Sequence, residues 1–354
     1  MKKYLKFSAL ILLGIAGISL VCFSVWRIAI YIPIEKNSQE KIEILIKKGE
    51  GLKEISTSLK SQGLIRSSFF FNIYVLKRGL EKNLKAGKYL FSKSMNVPQI
   101  VEKMVSGDVI KRKFTIIEGW NLKDIANLFE SQNLLSVQEF FEITGFPSPL
   151  PQKKDNSFPL NSKDFSKDFD FLKDKPKNLS LEGYLFPDTY EVSYEATPEE
   201  IIKKILSNFD KKLTQDLRKE IKNQNKTIFE IITMASLIEK EVKTLEDKKI
   251  VSGILWKRKK AGMPLQVDAT ITYITNKKST KISREELKID SPYNTYKYKG
   301  LPPAPICNPG IESIIAAIYP KKSEYWYYLS TPDGKTIFSR TLKEHNAAKI
   351  KYLK

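Results

Sequence analysis

The groups this chain offers for chemistry are forty Asp and Glu, one His and two Cys. A single histidine, His345, excludes a multi-His metal site and leaves little room for Ser-His-Asp or Cys-His catalysis, which need an imidazole poised near neutral pH. Carboxylates are the groups to follow, and the pattern calls for no metal and no cofactor.

The segment TIFEIITMASLIEKEV, residues 227–242, holds no Gly or Pro and predicts a helix. Stepping roughly 100° per residue from Ile228 puts Ile231, Ile238, Val242, Ala235 and Ile232 on one apolar face, with Glu239 near 20°, inside it. Glu230 and Glu241 fall near 200° and 220°, on the solvent side. A carboxyl among apolar neighbours is driven toward its protonated form, which a general acid requires at neutral pH. At an open end of the face, the same residue would be solvated or neutralised by a Lys.

Two further clusters accompany it. In LEGYLFPDTYEV (181–192), Glu182 and Asp188 sit among Tyr184, Phe186 and Tyr190. Aromatic rings beside carboxylates suit sugars, which present apolar faces and hydroxyls; the same pattern fits a core strand closed by a Pro-Asp turn. LQVDATITY (265–273) precedes SPYNTYKYKGLPPAPICNPG (291–310), whose five Pro, two Gly and three Tyr are too irregular for a helix or strand and too aromatic for disorder. This reads as an ordered loop, either a binding wall or a rigid connection.

The elements that must hold these groups show a repeat. Shifted by 70 residues, ILIKKGEGLKEISTSLKSQGLI (44–65) lies over FTIIEGWNLKDIANLFESQNLL (114–135), matching Gly49 to Gly119, Leu52 to Leu122 and Ile55 to Ile125. Each copy predicts a strand, a Gly turn and an amphipathic helix. The unit resembles the opening of LysM glycan-binding modules, although strand plus helix also recurs simply because it buries a small core. LKAGKYLFSKSMNVPQIVEKMVSG, between the copies, adds a strand and a helix. The stretch 146–180, rich in Pro, Ser, Lys and Asp, reads as a flexible linker or insertion. YWYYLSTPDGKTIFS (325–339) predicts a β-hairpin, followed by a terminal helix that His345 helps to orient.

Residues 7–26, FSALILLGIAGISLVCFSVW, carry no charge and at roughly 1.5 Å per residue span about 30 Å of hydrocarbon. Lys2, Lys3 and Lys6 keep the N-terminus cytoplasmic by the positive-inside rule, placing the remainder outside a cell membrane. Trp26, Arg27 and Tyr31 follow in place of the small residues of a cleavage site, which favours an anchor over a signal peptide. The expected fold class is therefore α+β: anchor over 1–32, small α+β domain over 40–113, LysM-like strand-helix unit over 114–145, linker over 146–180 and mixed α/β catalytic domain over 181–354.

Cys22, in the membrane segment, and Cys307 cannot meet in a disulfide. The net charge of +20 rests mainly on Lys, with only eight Arg. Phosphate recognition favours the planar Arg fork, so no nucleic acid is expected.

Taken in order, EGYLFPDTY, ASLIEKE, LQVDATITY, SPYNTYKYKGLPPAPICNPG and FSRTLKEHN resemble the YceG-like family, membrane-anchored endolytic murein transglycosylases. The resemblance covers about residues 181–350, departing at Ala269, Ala304 and Cys307. It implies that Glu239 is the catalytic acid, with Glu182, Gln266, Asp268, Tyr293 and Asn294 lining the glycan groove. It also implies peptidoglycan glycan strands as substrate and suggests cell-wall synthases as partners. Glu239 would protonate the oxygen of the MurNAc–GlcNAc β-1,4 bond, then take the proton of the C6 hydroxyl as the 1,6-anhydro ring closes. Two rivals are a non-catalytic, membrane-tethered peptidoglycan-binding scaffold and a hydrolase pairing Glu239 with Glu182 or Asp268, since ordinary glycoside hydrolysis uses two carboxylates.

Overall fold

The chain begins with one long apolar helix, α1 (Lys2–Tyr31), of which Leu12–Tyr31 is long and apolar enough to cross a membrane. The computed structural model describes residues 2–148, 158–277 and 282–353, with side chains from Leu12 onward. After α1 come β1 (Ile42–Ile46), α2 (Leu52–Ser61), α3 (Ser68–Lys77), β2 (Gly87–Phe91), α4 (Val97–Ser106) and β3 (Lys111–Thr115). Then follow α5 (Leu122–Ser131), α6 (Val137–Thr144), β4 (Thr189–Ser193), α7 (Pro198–Lys212), α8 (Gln215–Asn223), α9 (Ile228–Glu241) and α10 (Leu245–Lys260). The chain closes with α11 (Asp268–Thr275), α12 (Ile311–Ile318), β5 (Tyr327–Ser330), β6 (Thr336–Ser339) and α13 (Leu342–Tyr352). Helices joined to small two-stranded sheets make this the α+β class expected.

Two compact units divide these elements: Met1–Lys113 with Glu191–Ala196, and Phe114–Tyr190 with Thr197–Lys354. In the first, β1 pairs antiparallel with β2, Ile44 opposite Tyr89, and the alternation of Ile44 and Ile46 sends both into a core with Leu59, Phe71, Ile100 and Met104. The last turns of α1 join this core through Ile30.

The repeat seen in the sequence is a repeat in structure. β1–α2–α3 and β3–α5–α6 have the same order, and α2 and α5 start and stop 70 residues apart. Gly49 and Gly119 both adopt left-handed backbone, φ +84° and +78°, a conformation costly for a side chain with a Cβ. The copies differ in their caps. Asn121 accepts from the Asp124 amide at 3.0 Å, whereas Gly51 has no side chain to do so. The LysM resemblance goes no further than this strand-turn-helix order.

The stretch expected as a flexible linker or an insertion packs its aromatic side chains inward from residue 158 onward. Phe158, Phe165, Phe171 and Leu172 are buried; Phe158 stacks on Phe146 at 5.4 Å and Phe171 on Phe209 at 4.7 Å. These side chains enter the core from loops and from one short 3-10 turn at Asp170–Leu172, so they leave no sustained periodic signal among the Lys, Ser and Asp around them. Residues 149–157 of that stretch lie outside the described residues. The strand-helix copy at 114–145 belongs to the second compact unit, together with the elements that follow it.

In that unit Phe114, Phe129 and Phe140 form an edge-to-face chain, with centroids 4.8 and 5.5 Å apart, all fully or almost fully buried. Phe129→Ala removes the middle ring and should cost about 3–5 kcal/mol. Urea unfolding followed by near-ultraviolet circular dichroism measures this; a loss below about 1 kcal/mol would show that the cluster does not hold the unit together.

Candidate active site

The site is built around the last turn of α9. This helix is more deeply set than its angular pattern suggests, because every residue from Ile231 to Ile238 is buried. Its start is held by a capping box, Thr227 Oγ1 accepting from the Glu230 amide at 3.0 Å and Glu230 accepting from the Thr227 amide at 3.2 Å. Asp174 accepts from the Ile228 amide at 2.6 Å. The two polar residues inside are satisfied locally: Thr233 donates to the Phe229 carbonyl and Ser236 to that of Thr233, each at 2.8 Å. Ser236 Oγ also accepts from the Ile306 amide at 3.0 Å, which pins the Pro-rich loop along α9.

Beyond that pin the loop delivers Gly310, the N-cap of α12, to Glu239. The Gly310 amide donates to Glu239 Oε2 at 2.9 Å, and the Ser313 hydroxyl donates to the same oxygen at 2.7 Å. Lys248, reaching over from α10, places Nζ 3.4 Å from Oε1; the two side chains are 4% and 8% exposed. The purely apolar surroundings expected of Glu239 are thus replaced by a helix N-terminus, a hydroxyl and an ammonium.

A second carboxylate stands beside it. Glu118 precedes the left-handed Gly119, whose backbone packs against Glu239 and whose carbonyl accepts from Lys240 at 3.2 Å. A Cβ on Gly310 would overlap the Glu118 carboxylate, so the glycine leaves room for it. Desolvation raises the Glu118 carboxyl, Glu239 and Glu312 add to that, and Lys248 opposes it.

A neighbouring polar cluster follows from Glu241, which the angular arithmetic put in solvent. Tyr328 on β5 donates to it at 2.8 Å, and burial pushes its carboxyl up to about 7, with the charge of Asp268 contributing. Asp268, at the start of α11, accepts from Tyr296. Gln266 adopts a left-handed backbone, φ +54°, uncommon for a residue with a side chain. Its amide donates to the Thr295 carbonyl at 3.1 Å, and its side chain accepts from Arg258 at 3.4 Å. Gln266 and Asp268 are both exposed.

The other three groove residues implied by the resemblance lie inside. Glu182 is 1% exposed and accepts from the Leu122 amide at 3.1 Å and from Tyr273 at 3.2 Å. Asn294, fully buried, holds its own loop by donating to the Leu287 and Ile289 carbonyls. Tyr293, 3% exposed, packs on Tyr273 at 5.6 Å and offers no open face to a sugar. Asp188 accepts from Asn208 at 3.0 Å, while Tyr184, Phe186 and Tyr190 are core residues, so that segment follows its structural reading. His345 stacks on Tyr327 at 5.3 Å and serves the hairpin and α13.

Sequence reasoning missed Glu118, Lys248, Gly310 and Ser313. A signal existed for two of them. The repeat places Glu118 over Lys48, a charge reversal beside a shared glycine, and Asn-Pro-Gly before the apolar run 311–318 is a helix start.

A family model described as the YceG-like family matches residues 44–351. The chain belongs to the YceG-like family. An endolytic murein transglycosylase of Bacillus subtilis is 34% identical over 91% of this chain and 87% of its own length. One from Streptococcus pneumoniae is 32% identical over 89% of this chain and 59% of its own. A crystal structure of a YceG-like protein from Listeria monocytogenes superposes with a TM-score of 0.57 at 34% identity, covering 88% of this chain and 99% of that one. In this YceG-like chain, the motif helix is α9 and the Pro-rich motif loop is the segment that carries Gly310 to Glu239.

Burial pushes the Glu182 carboxyl up to about 8 in spite of its donors. Between its ordinary range near 4.5 and that value, the folded state keeps a proton that the unfolded chain has released. The stabilisation is complete below the lower value and is lost as pH rises through the upper one. Glu182→Gln keeps the acceptor and cannot ionise, so its unfolding free energy should vary less between pH 5 and 8 than that of the native protein. Urea titrations across that range test this, and parallel pH profiles for the two proteins would refute it.

Proposed function

We propose that this chain is a membrane-anchored lytic transglycosylase that cleaves the MurNAc–GlcNAc β-1,4 bond within nascent peptidoglycan, leaving 1,6-anhydroMurNAc ends and ending strand elongation. The observation that carries the reading is the placement of Glu239, an almost buried carboxyl at the end of a rigid helix, with three donors on its two oxygens.

In the first step, protonated Glu239 gives its proton to the glycosidic oxygen as the bond from C1 to that oxygen breaks. The Gly310 amide, the Ser313 hydroxyl and Lys248 stabilise the carboxylate left behind, which lowers the cost of the transfer. In the second step that carboxylate takes the proton of the C6 hydroxyl while its oxygen bonds to C1. Glu239 ends protonated, and no water is consumed. Gln266 and Asp268, exposed beside α11, hold sugar hydroxyls and N-acetyl groups. The apolar stretch of α1 anchors the chain, with its N-terminus cytoplasmic and both units outside.

Glu118 supports a second reading. A carboxylate next to Glu239 is what a two-carboxylate hydrolase needs, a role that burial denies to Glu182. Mass spectrometry of purified glycan strands incubated with the protein separates the readings. The transglycosylase yields ends lighter by one water than the reducing ends of hydrolysis, and an inert scaffold leaves strands intact. Glu239→Gln should fold, bind glycan and lose product by roughly 100-fold or more; native levels of anhydro product from this variant would sink the assignment.

A further inference from the structure

Helix α3 presents two faces of opposite fate. Phe71, Tyr74 and Val75 are buried in the core of the first unit, while Phe69 and Leu76 are 66% and 56% exposed, with the partly buried Ile73 between them. Phe69, Ile73 and Leu76 stand at i, i+4 and i+7, so they form one continuous outward stripe. The exposed cations Lys77 and Arg78 follow directly.

The stripe adjoins the end of the apolar helix. Trp26 of α1 meets Phe70 edge to face at 5.8 Å, and Phe70 meets Phe69 at 5.4 Å. Four residues beyond Trp26, Ile30 is fully buried in the core of the unit, and Arg66 just before α3 donates to the Pro33 carbonyl at 2.8 Å. No free linker separates the span from the unit it carries. A bilayer around α1 therefore continues onto whatever lies beside Trp26.

We infer that the outward face of α3 is a lipid-docking surface. Phe69, Ile73 and Leu76 insert at the acyl boundary, and Lys77 reaches the phosphate level, while Arg78 turns back over the Tyr74 ring on the other face of the helix, 5.2 Å from its centroid. Burial of aromatic and aliphatic side chains in lipid meets the need that water leaves unmet, and Trp26 and Tyr31 are the residue types that settle at that depth. The inference rests on α1 spanning the membrane, and it fixes the first unit against the bilayer surface instead of on a tether.

The test uses the full chain in nanodiscs of phosphatidylcholine and phosphatidylglycerol, with Cys22→Ala and the buried Cys307 left in place. Spin labels are attached at Phe69→Cys, Leu76→Cys, Ile18→Cys and Lys219→Cys in turn, and relaxation by oxygen is compared with relaxation by a water-soluble nickel chelate. Labels at 69 and 76 should favour oxygen over nickel several-fold relative to 219, at a shallower depth than the label at 18. If 69 and 76 match 219 while 18 remains in lipid, the anchor stands and the docking surface falls. Shielding of 69 and 76 from both reagents would mean that protein covers the stripe, which also overturns the proposal. Nickel access at 18 would remove the membrane reading itself.

Discussion

Asn308 is the residue on which the second unit turns. Fully buried, it accepts from the Leu185 amide at 2.8 Å and donates to the Trp120 carbonyl at 2.9 Å and to Glu182 at 3.3 Å. Its own backbone pairs in both directions with the turn at 119–120. Glu182 passes the connection on to the start of α5 and to Tyr273 of α11. Four distant stretches of chain thus share one buried polar knot, and each bond in it is stronger for the low dielectric around it. The knot has a consequence at the surface: it fixes Gly119 and Gly310, the two glycines that flank Glu239. Moving any one strand of it would shift the groups that hold the carboxylate.

Much of this was legible in advance, and what failed did so for identifiable reasons. Helical periodicity singles out Glu239 as a candidate, because a carboxylate in an apolar row stands out without any knowledge of its neighbours. The repeat, the β5–β6 hairpin with Ser330 opposite Thr336, and the terminal helix are local patterns, and they formed as read. Glu182, Tyr293 and Asn294 were assigned to a groove from resemblance, yet an interior polar residue satisfied by amides has the same letters as one that grips a sugar. Only the hydrogen-bond partners tell the two apart, and those partners come from residues 60 or more positions away in the case of Glu182.

The same limit explains Glu241. A wheel drawn for one helix assigns its far side to water, but α9 is packed by α8, α10, α11 and α12. With neighbours all round, position on the wheel decides which helix a side chain meets and not whether it meets solvent. Lys248 and Ser313 are the converse: nothing in their local sequence distinguishes them from surface residues until α10 and α12 close on Glu239.

Electrostatics gives these closures their sense. Glu239 lies in the last turn of α9, where the unpaired carbonyls of a helix end disfavour a negative charge. Left there alone, the carboxylate would be both poorly hydrated and badly placed. The N-terminus of α12 meets it with the opposite end of a helix dipole, through the Gly310 amide, and Lys248 adds a full positive charge on the other oxygen. Gly310 has a second duty, since a side chain there would displace Glu118. One backbone position thus both supplies a donor to the first carboxylate and makes room for the second. The Pro-rich loop that brings it there is irregular because a helix or strand could not follow α9, satisfy Ser236 and Asn308 in passing, and still end as the N-cap of a helix aimed at Glu239.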